Sequence, residues 1–580
     1  MVTIAFFCSL SLQATNYYVA TYTNGGRESN TGTSASPFLR IQQAAASVVA
    51  GDTVIVRDGT YTDTIPNYGT KQAIVHLTHS GNSSGWITFK AEHKGRVILD
   101  GMNNKVEFGF VIDQSASYIR IEGFEIKDFN TWGIIVNPTI TSSHFEFRDN
   151  QIHHIGNICT ATTTGLTGIC LRSCDNVLIE RNYIHDIGRF NYNEMTCPTA
   201  QHYQYNDHGI YVDDVSHLVI QNNIISQCGH GWGIHLYCGR LDSTNYQIYK
   251  SEDIDILNNT FYTQHQQSVG LIILSTAVDR INIKNNLLIM NADADSIGTG
   301  CIPSANVGIK IDASYANVMS GVVISNNMKY RGNRSMSDAN EGTTITDNII
   351  ATDSTKTIKS IYGLDFSLPS GSDAINAGLY VGLTTDYVGN TRTVLPDIGA
   401  YEYNIPPEVS IAIPTSNTIF TAPASITIIA TATDADGTIS SVDFYIGSTL
   451  LNTVNTRPYL FTAHNVAAGS YAITAKAADN AGASTTSTPV TIAVNRTSAK
   501  SENPECYPVP FTGQLHIDLI PIEGESVTAF ELFNIAGKCV RSSKQNDTKI
   551  VMDLSDLTTG VYVVTVRTNK GVYNKLVIKK

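Results

Sequence analysis

Two stretches one repeat apart carry side chains suited to proton transfer and anion binding: DHGIYVDD (Asp207 to Asp214) and GWGIHLY (Gly231 to Tyr237). Each reads glycine, apolar, variable, apolar, variable. An extended strand sends alternate side chains to opposite faces. Ile210, Val212, Ile234 and Leu236 then point to a core, and Tyr211, Asp213, His235 and Tyr237 to a surface. An imidazole ordinarily titrates near neutrality, so His235 in mid-column suits proton transfer. Ten of the fifteen histidines lie between His144 and His265, including His208 at the strand entrance and His230.

The same alignment extends the column to neighbouring repeats. It pairs Ile135 and Asn137, Cys170 and Arg172, Tyr211 and Asp213, His235 and Tyr237, Ile272 and Leu274, then Lys310 and Asp312. Three successive repeats, Arg172 through Tyr237, are polar. At about 4.8 Å per strand they span about 10 Å, and Lys310 falls about 19 Å from Arg172. Long insertions around Arg189 to Asn206 and Arg240 to Lys250 flank these repeats, and loops on a rigid scaffold often wall a site. His208, Trp232, Arg189 and Lys310 are expected to contact a ligand. Tyr192, Tyr203 and Tyr205 are aromatic groups able to flank it or to pack the loops. Asp207, Asp213 and Asp214 are the acids available to orient a histidine or hold Ca²⁺, which takes carboxylate oxygens.

A repeated frame must position these groups. The pattern apolar, any, apolar, two residues, Asn, any, apolar recurs as EFRDNQI, LIERNYI, VIQNNII, DILNNTF, NIKNNLL, VISNNMK and TITDNII. The aligned asparagines are Asn150, Asn182, Asn223, Asn259, Asn286, Asn327 and Asn348. Period-two alternation with β-branched residues excludes a helical solenoid and implies stacked short parallel strands. Asn suits a left-handed bend at a fixed corner, where its amide also bonds neighbouring backbone. The unequal spacing assigns loops of different length to the other corners.

Composition agrees with a turn-rich folded protein, 42% hydrophobic and 15% charged. The net charge of −13, without basic stripes, excludes wrapping a nucleic-acid backbone but leaves a locally held anionic substrate open. Residues 1–14 read as a partial signal peptide, VTIAFFCSLSL with a cleavage position after Ala14, too short to span a bilayer. No transmembrane span is expected. Seven of the ten cysteines lie between Cys159 and Cys301, where export would permit disulfides of unreadable pairing. Ser36 and Pro37 predict a helix through Val48 that caps one end of the stack, before a strand at Thr53 to Arg57.

From 17 to 403 the chain resembles the right-handed parallel β-helix of the pectate-lyase-like class, through GDTVIVRDGTY and the closing DFSLPSGSDAINAG, TDYVGN and LPDIGAYEY. Residues 406–495, with TATDADGTISSVDFYIGSTLLNT, are similar to bacterial Ig-like domains, a β-sandwich. Residues 504–580, with YPVPF, ELFNIAGKCV and DLSDLTTGVYVVTVRTNKGVYNKLVIKK, resemble the C-terminal sorting domain of type IX secretion. The resemblances imply an all-β, monomeric protein exported from a Bacteroidetes-type bacterium to the cell surface or beyond, with the secretion machinery and a polysaccharide as partners.

Lysis of a uronate polymer of pectate or alginate type by β-elimination needs a base, an acid for the leaving oxygen, and positive charge on the carboxylate. Arg172 supplies the charge, His235 the base, and Tyr211 or Tyr237 the acid, with Asp213 orienting. Many lyases of this fold instead use a Lys or Arg base with acidic Ca²⁺ ligands. Hydrolysis of the polygalacturonase kind needs two spaced carboxylates, for which Asp213 and Asp214 followed by Gly229-His230-Gly231 are the match. Non-catalytic glycan binding or adhesion is the third expectation.

Overall fold

A computed structural model describes residues 14–67, 71–113, 115–137, 142–157, 165–188, 207–228, 231–237, 251–263, 270–275, 278–290, 308–311, 319–330, 343–360, 365–496 and 503–580. The chain divides into two units, residues 1–405 and 406–580.

In the first unit each coil has three faces. One coil runs through strands Trp132–Val136, Ser143–Arg148 and Gln151–Ile155, and its successor through Thr167–Glu180 and Tyr183–Ile187. The 14-residue strands Thr167–Glu180 and His208–Gln221 each supply two faces by bending at Ser173 (φ 39) and Asp214 (φ 61). All neighbouring coils pair in parallel: Ile134, Ile169, Ile210, Ile234, Ile272 and Ile309 lie in one register line, and all are fully buried. Such stacking encloses an apolar core between an 18-stranded sheet, which supplies two faces, and a ten-stranded sheet, which supplies the third.

The asparagine column is a continuous ladder. Asn182 Oδ1 accepts from the Asn150 backbone N–H at 3.0 Å and from Asn150 Nδ2 at 3.1 Å, while Asn182 Nδ2 donates to Phe147 O at 2.8 Å and to Asn223 Oδ1 at 3.0 Å. The pattern repeats down to Asn348. The left-handed residue is the one before each rung: Asp149, Arg181, Asn222, Asn258, Asn285, Asn326 and Asp347. The sequence expectation had placed both tasks on one residue. The bend instead turns the chain, and the following Asn is buried where its amide replaces backbone partners.

A glycine column marks the first face. A Cβ on Gly209 would stand 2.6 Å from Gly233 O, and one on Gly233 would stand 2.8 Å from Leu271 O, so the coil closes too tightly for a side chain there.

The capping helix is only Ile41–Ala45, capped at Arg40. Phe38 is held extended by bridges to Val19 and Arg27, which delays the turn that Ser36 and Pro37 promised. The following strand ends at Val56. At the other end the segment 365–403 lies back on the coils. Its Arg392, with a fully buried side chain, bonds Glu402, Asn222 Oδ1 (2.8 Å) and Gly399 O (2.8 Å). Asn258 Nδ2 reaches Asp397 O at 2.9 Å.

In the second unit, residues 408–495 form facing antiparallel-rich sheets over a core that includes Ile426, Ile428, Phe444 and Ile473. Residues 505–579 form a three-stranded and a four-stranded sheet around Phe511, Leu515, Phe530 and Val564.

Candidate functional site

The outward column of the first face is set by register. Cys170 pairs with Tyr211, Tyr211 with His235, His235 with Ile273, and Ile273 with Lys310. Two residues further along, Arg172 pairs with Asp213 and Asp213 with Tyr237. The polar column of three coils is therefore present as expected. The fourth coil differs: Ile272 and Leu274 are fully buried core residues, and Ile273 and Ser275 occupy the outward positions. Aligning Gly270 with Gly233 causes the error, because Gly270 pairs with Trp232 instead. A one-residue slip exchanges the two faces of a strand.

That correction brings Ser275 into contact with His235, at 2.6 Å from Nε2 to Oγ. On its other side His235 Nδ1 lies 3.0 Å from His208 Nε2, and His208 Nδ1 accepts the Trp232 backbone N–H at 3.2 Å. Backbone N–H can only donate. His208 Nδ1 is thus an acceptor, its proton sits on Nε2 and goes to His235 Nδ1, and His235 keeps its own proton on Nε2 for Ser275. Ser275 Oγ in turn donates to Leu236 O at 3.4 Å. Burial first, and His235 beside it second, hold His208 well below the usual imidazole range, so it stays neutral.

Tyr211 stacks on His208, with ring centroids 5.6 Å apart and planes at 12°, and meets His235 edge-on at 5.4 Å. Burial, then the charge of Asp213, pushes its phenol far upward, so it is protonated at every physiological pH. The Tyr237 ring is 6.1 Å from that of Tyr211. Arg172, with 42% of its side chain exposed, places Nε 4.0 Å from Asp213 Oδ2.

Trp232 is buried, 2% exposed, at the register position beside His208. Lys310 lies two strands beyond His235, about 9.6 Å at the usual spacing, with Ile273 between them. Asp207 is fully buried and its Oδ1 accepts the Leu166 N–H at 3.1 Å. Asp214 sits at the bend between two faces. Asp207, Asp213 and Asp214 do not converge as a ligand set; among the described residues the one group with metal-ligand spacing is Asp58, Glu92 and His93, on the surface. Arg189, Tyr192, Tyr203, Tyr205 and His230, with the insertions that hold them, lie outside the described residues, as does Asp312.

The face is closed on one side. Val111, Ile135 and Cys170, which continue the Tyr211 column, are at most 2% exposed and cluster with Phe108. Phe108 stacks on Trp132 at 5.0 Å, with Lys71 Nζ 5.6 Å from the Phe108 ring. Burial pushes the Cys170 thiol up to about 12, so it is no nucleophile. Cys170, Cys174, Cys228, Cys506 and Cys539 are free thiols.

Comparison with known proteins gives four family matches. Residues 17–186 match the Pel9A-like right-handed β-helix region, 103–295 the right-handed β-helix region, 407–475 the bacterial Ig domain, and 505–580 the secretion system C-terminal sorting domain. A curated relative, the uncharacterized protein YwoF of Bacillus subtilis (strain 168), is 29% identical over 140 residues, 22% of this chain and 27% of its own. The chain thus spans about a quarter of that relative.

Among solved structures, pectate lyase Pel9A is 16% identical over 68% of this chain and 98% of its own, with a TM-score of 0.44. A rhamnogalacturonan lyase is 16% identical over 61% and 95%, at 0.33. A mannuronic acid specific polysaccharide family 6 lyase from human gut microbiota is 13% identical over 58% and 82%, at 0.30. Among the described residues no helix is long and apolar enough to cross a membrane. The chain is a right-handed parallel β-helix protein whose residues 17–186 match the Pel9A-like β-helix region, continued by a bacterial Ig domain and a type IX sorting domain that directs it to the cell surface or the extracellular space.

Proposed function

We propose that the Arg172 to Ser275 face binds a uronate-containing polysaccharide and cleaves it by β-elimination. The observation that carries this reading is the composition of the open face: one exposed guanidinium, two phenols and an imidazole, with Asp213 as the carboxylate beside them. Arg172 binds the uronate carboxylate and offsets the charge that grows on it as the neighbouring proton leaves. Tyr211, kept protonated by burial, donates to the leaving glycosidic oxygen. Tyr237 accepts the proton beside the carboxylate. His235 was the expected base, but both its ring nitrogens are engaged, which favours a phenol for that role.

Hydrolysis requires a second carboxylate about 5–9.5 Å from the first. Asp207 is buried against backbone, and Asp214 directly follows Asp213 at a bend, so neither supplies it well. The family match over residues 17–186, to a β-helix named for a pectate lyase, agrees with a pectate-type substrate.

The test is a screen of pectate, alginate and glycosaminoglycans, read both by ultraviolet absorbance of unsaturated uronates and by reducing ends. Elimination raises both signals. Reducing ends without unsaturation indicate hydrolysis, and saturable binding without either indicates an adhesin; each result overturns the proposal.

A further inference from the structure

The chain from Trp232 N–H through His208, His235 and Ser275 to Leu236 O has a single self-consistent direction. Reversing it would put a proton on His208 Nδ1 against the Trp232 N–H. Adding a proton to His235 would face its Nδ1–H with the Nε2–H of the buried His208 across a partly buried contact. Either arrangement leaves two donors opposed, which in a buried site costs the desolvation of both.

Among the described residues, the rings and the hydroxyl around His235 leave this direction in place. His208 meets it at 4.6 Å between centroids, Tyr211 at 5.4 Å and Tyr237 at 5.8 Å, while Ser275 closes the remaining side. Among the described residues the charges on the same face are Asp213 and Arg172, themselves an ion pair.

We propose that His208 is a positioning residue that locks His235 as a neutral Nε2–H donor, with Ser275 Oγ as the resting acceptor that a substrate sugar oxygen replaces. Resting on the elimination reading for its substrate, this gives His235 a binding rather than a proton-transfer role. A neutral imidazole donor suits an uncharged hydroxyl or ring oxygen beside the uronate held at Arg172. The 3.0 Å contact between the two rings has no room for a second proton, so the donor state persists across the working pH range.

The test is nitrogen-15 NMR of the full chain labelled at histidine, with His208→Gln and His208→Phe beside the wild type. Gln reproduces both contacts, accepting from Trp232 N–H and donating to His235 Nδ1, whereas Phe supplies neither. The wild type and His208→Gln are expected to show His235 as the Nε2–H tautomer without titration from about pH 5 to 8. His208→Phe is expected to let His235 titrate near the ordinary value of about 6.5.

On whichever uronate polymer the screen identifies, His235→Gln, which retains a donor, should raise KM several-fold and change kcat less than about tenfold, where loss of a catalytic base would cost about 10²–10⁴. A wild-type His235 that titrates near neutrality overturns the proposal, and this arm stands even if the Phe variant does not fold. Because the NMR arm uses no substrate, the lock can fail while elimination stands, and elimination can fail while the lock stands.

Discussion

His235 Nε2 stands 2.6 Å from Ser275 Oγ, forty residues along the chain and one coil further down the solenoid. The contact commits one imidazole nitrogen to a hydroxyl, as His208 commits the other, and in the proposed elimination the proton chemistry falls to Tyr211 and Tyr237.

A phenol base is active in its ionised form, whose ordinary pKa is about 10. The rate of elimination should therefore rise toward alkaline pH, and Tyr237→Phe should lower kcat by about 10²–10⁴. A pH–rate profile checks this; a limb near pH 6.5 that disappears in His235→Gln would return the base to His235.

In the proposed elimination Arg172 stabilises charge that is greatest in the transition state. Arg172→Ala should cost about 10²–10³ in kcat/KM on a uronate polymer, the usual scale for one preorganised donor. Arg172→Lys should recover part of it, because a lysine keeps the charge but loses the bidentate fork. Initial rates with both variants decide whether the guanidinium is on the reaction path.

The asparagine ladder should dominate the stability of the first unit. Asn223→Ala removes the acceptor for the Asn182 N–H and the donor to Ile179 O, both buried. Unsatisfied buried groups cost about 1–3 kcal/mol each, so a loss of about 3 kcal/mol is expected in urea unfolding. Gln221→Ala, on the exposed side of the same turn, should cost less than half as much.

On the third face His153 is buried against Glu125, His154 and His185, and its ring stacks on His185 at 4.7 Å. Burial, then the neighbouring His185, His154 and Lys127, lower it to about 3, although Asp186 opposes them. Between about pH 6.5 and 3 the unfolded chain binds this proton and the folded chain does not. Stability is therefore full above pH 6.5 and falls with acidification, by up to about 1.4 kcal/mol per pH unit from this group. His153→Gln should flatten that slope in thermal melts between pH 7 and 4.

The parallel coil, the asparagine column and the polar repeats around Tyr211 and His235 were legible because each is written in local periodicity. The bend residue was misassigned because Asn is suited to both a left-handed φ and a buried ladder, and only the backbone separates Asn222 from Asn223. Ser275 was missed because Gly270 imitates the glycine column one position early. The roles of His208 and Asp207 were equally hidden: pattern places them beside the site, but whether a carboxylate faces solvent or caps the Leu166 amide is decided by burial. Long-range contacts such as Arg392 with Asn222 leave no spacing signal at all.

The most direct measurement of the central claim is digestion of pectate and alginate in water enriched in the heavy oxygen isotope, with mass analysis of the products. Elimination breaks the glycosidic bond without adding water, so the account predicts unsaturated, unlabelled oligouronates from the wild type and a much smaller yield from Arg172→Ala. Saturated products carrying one heavy oxygen at the new reducing end would contradict it.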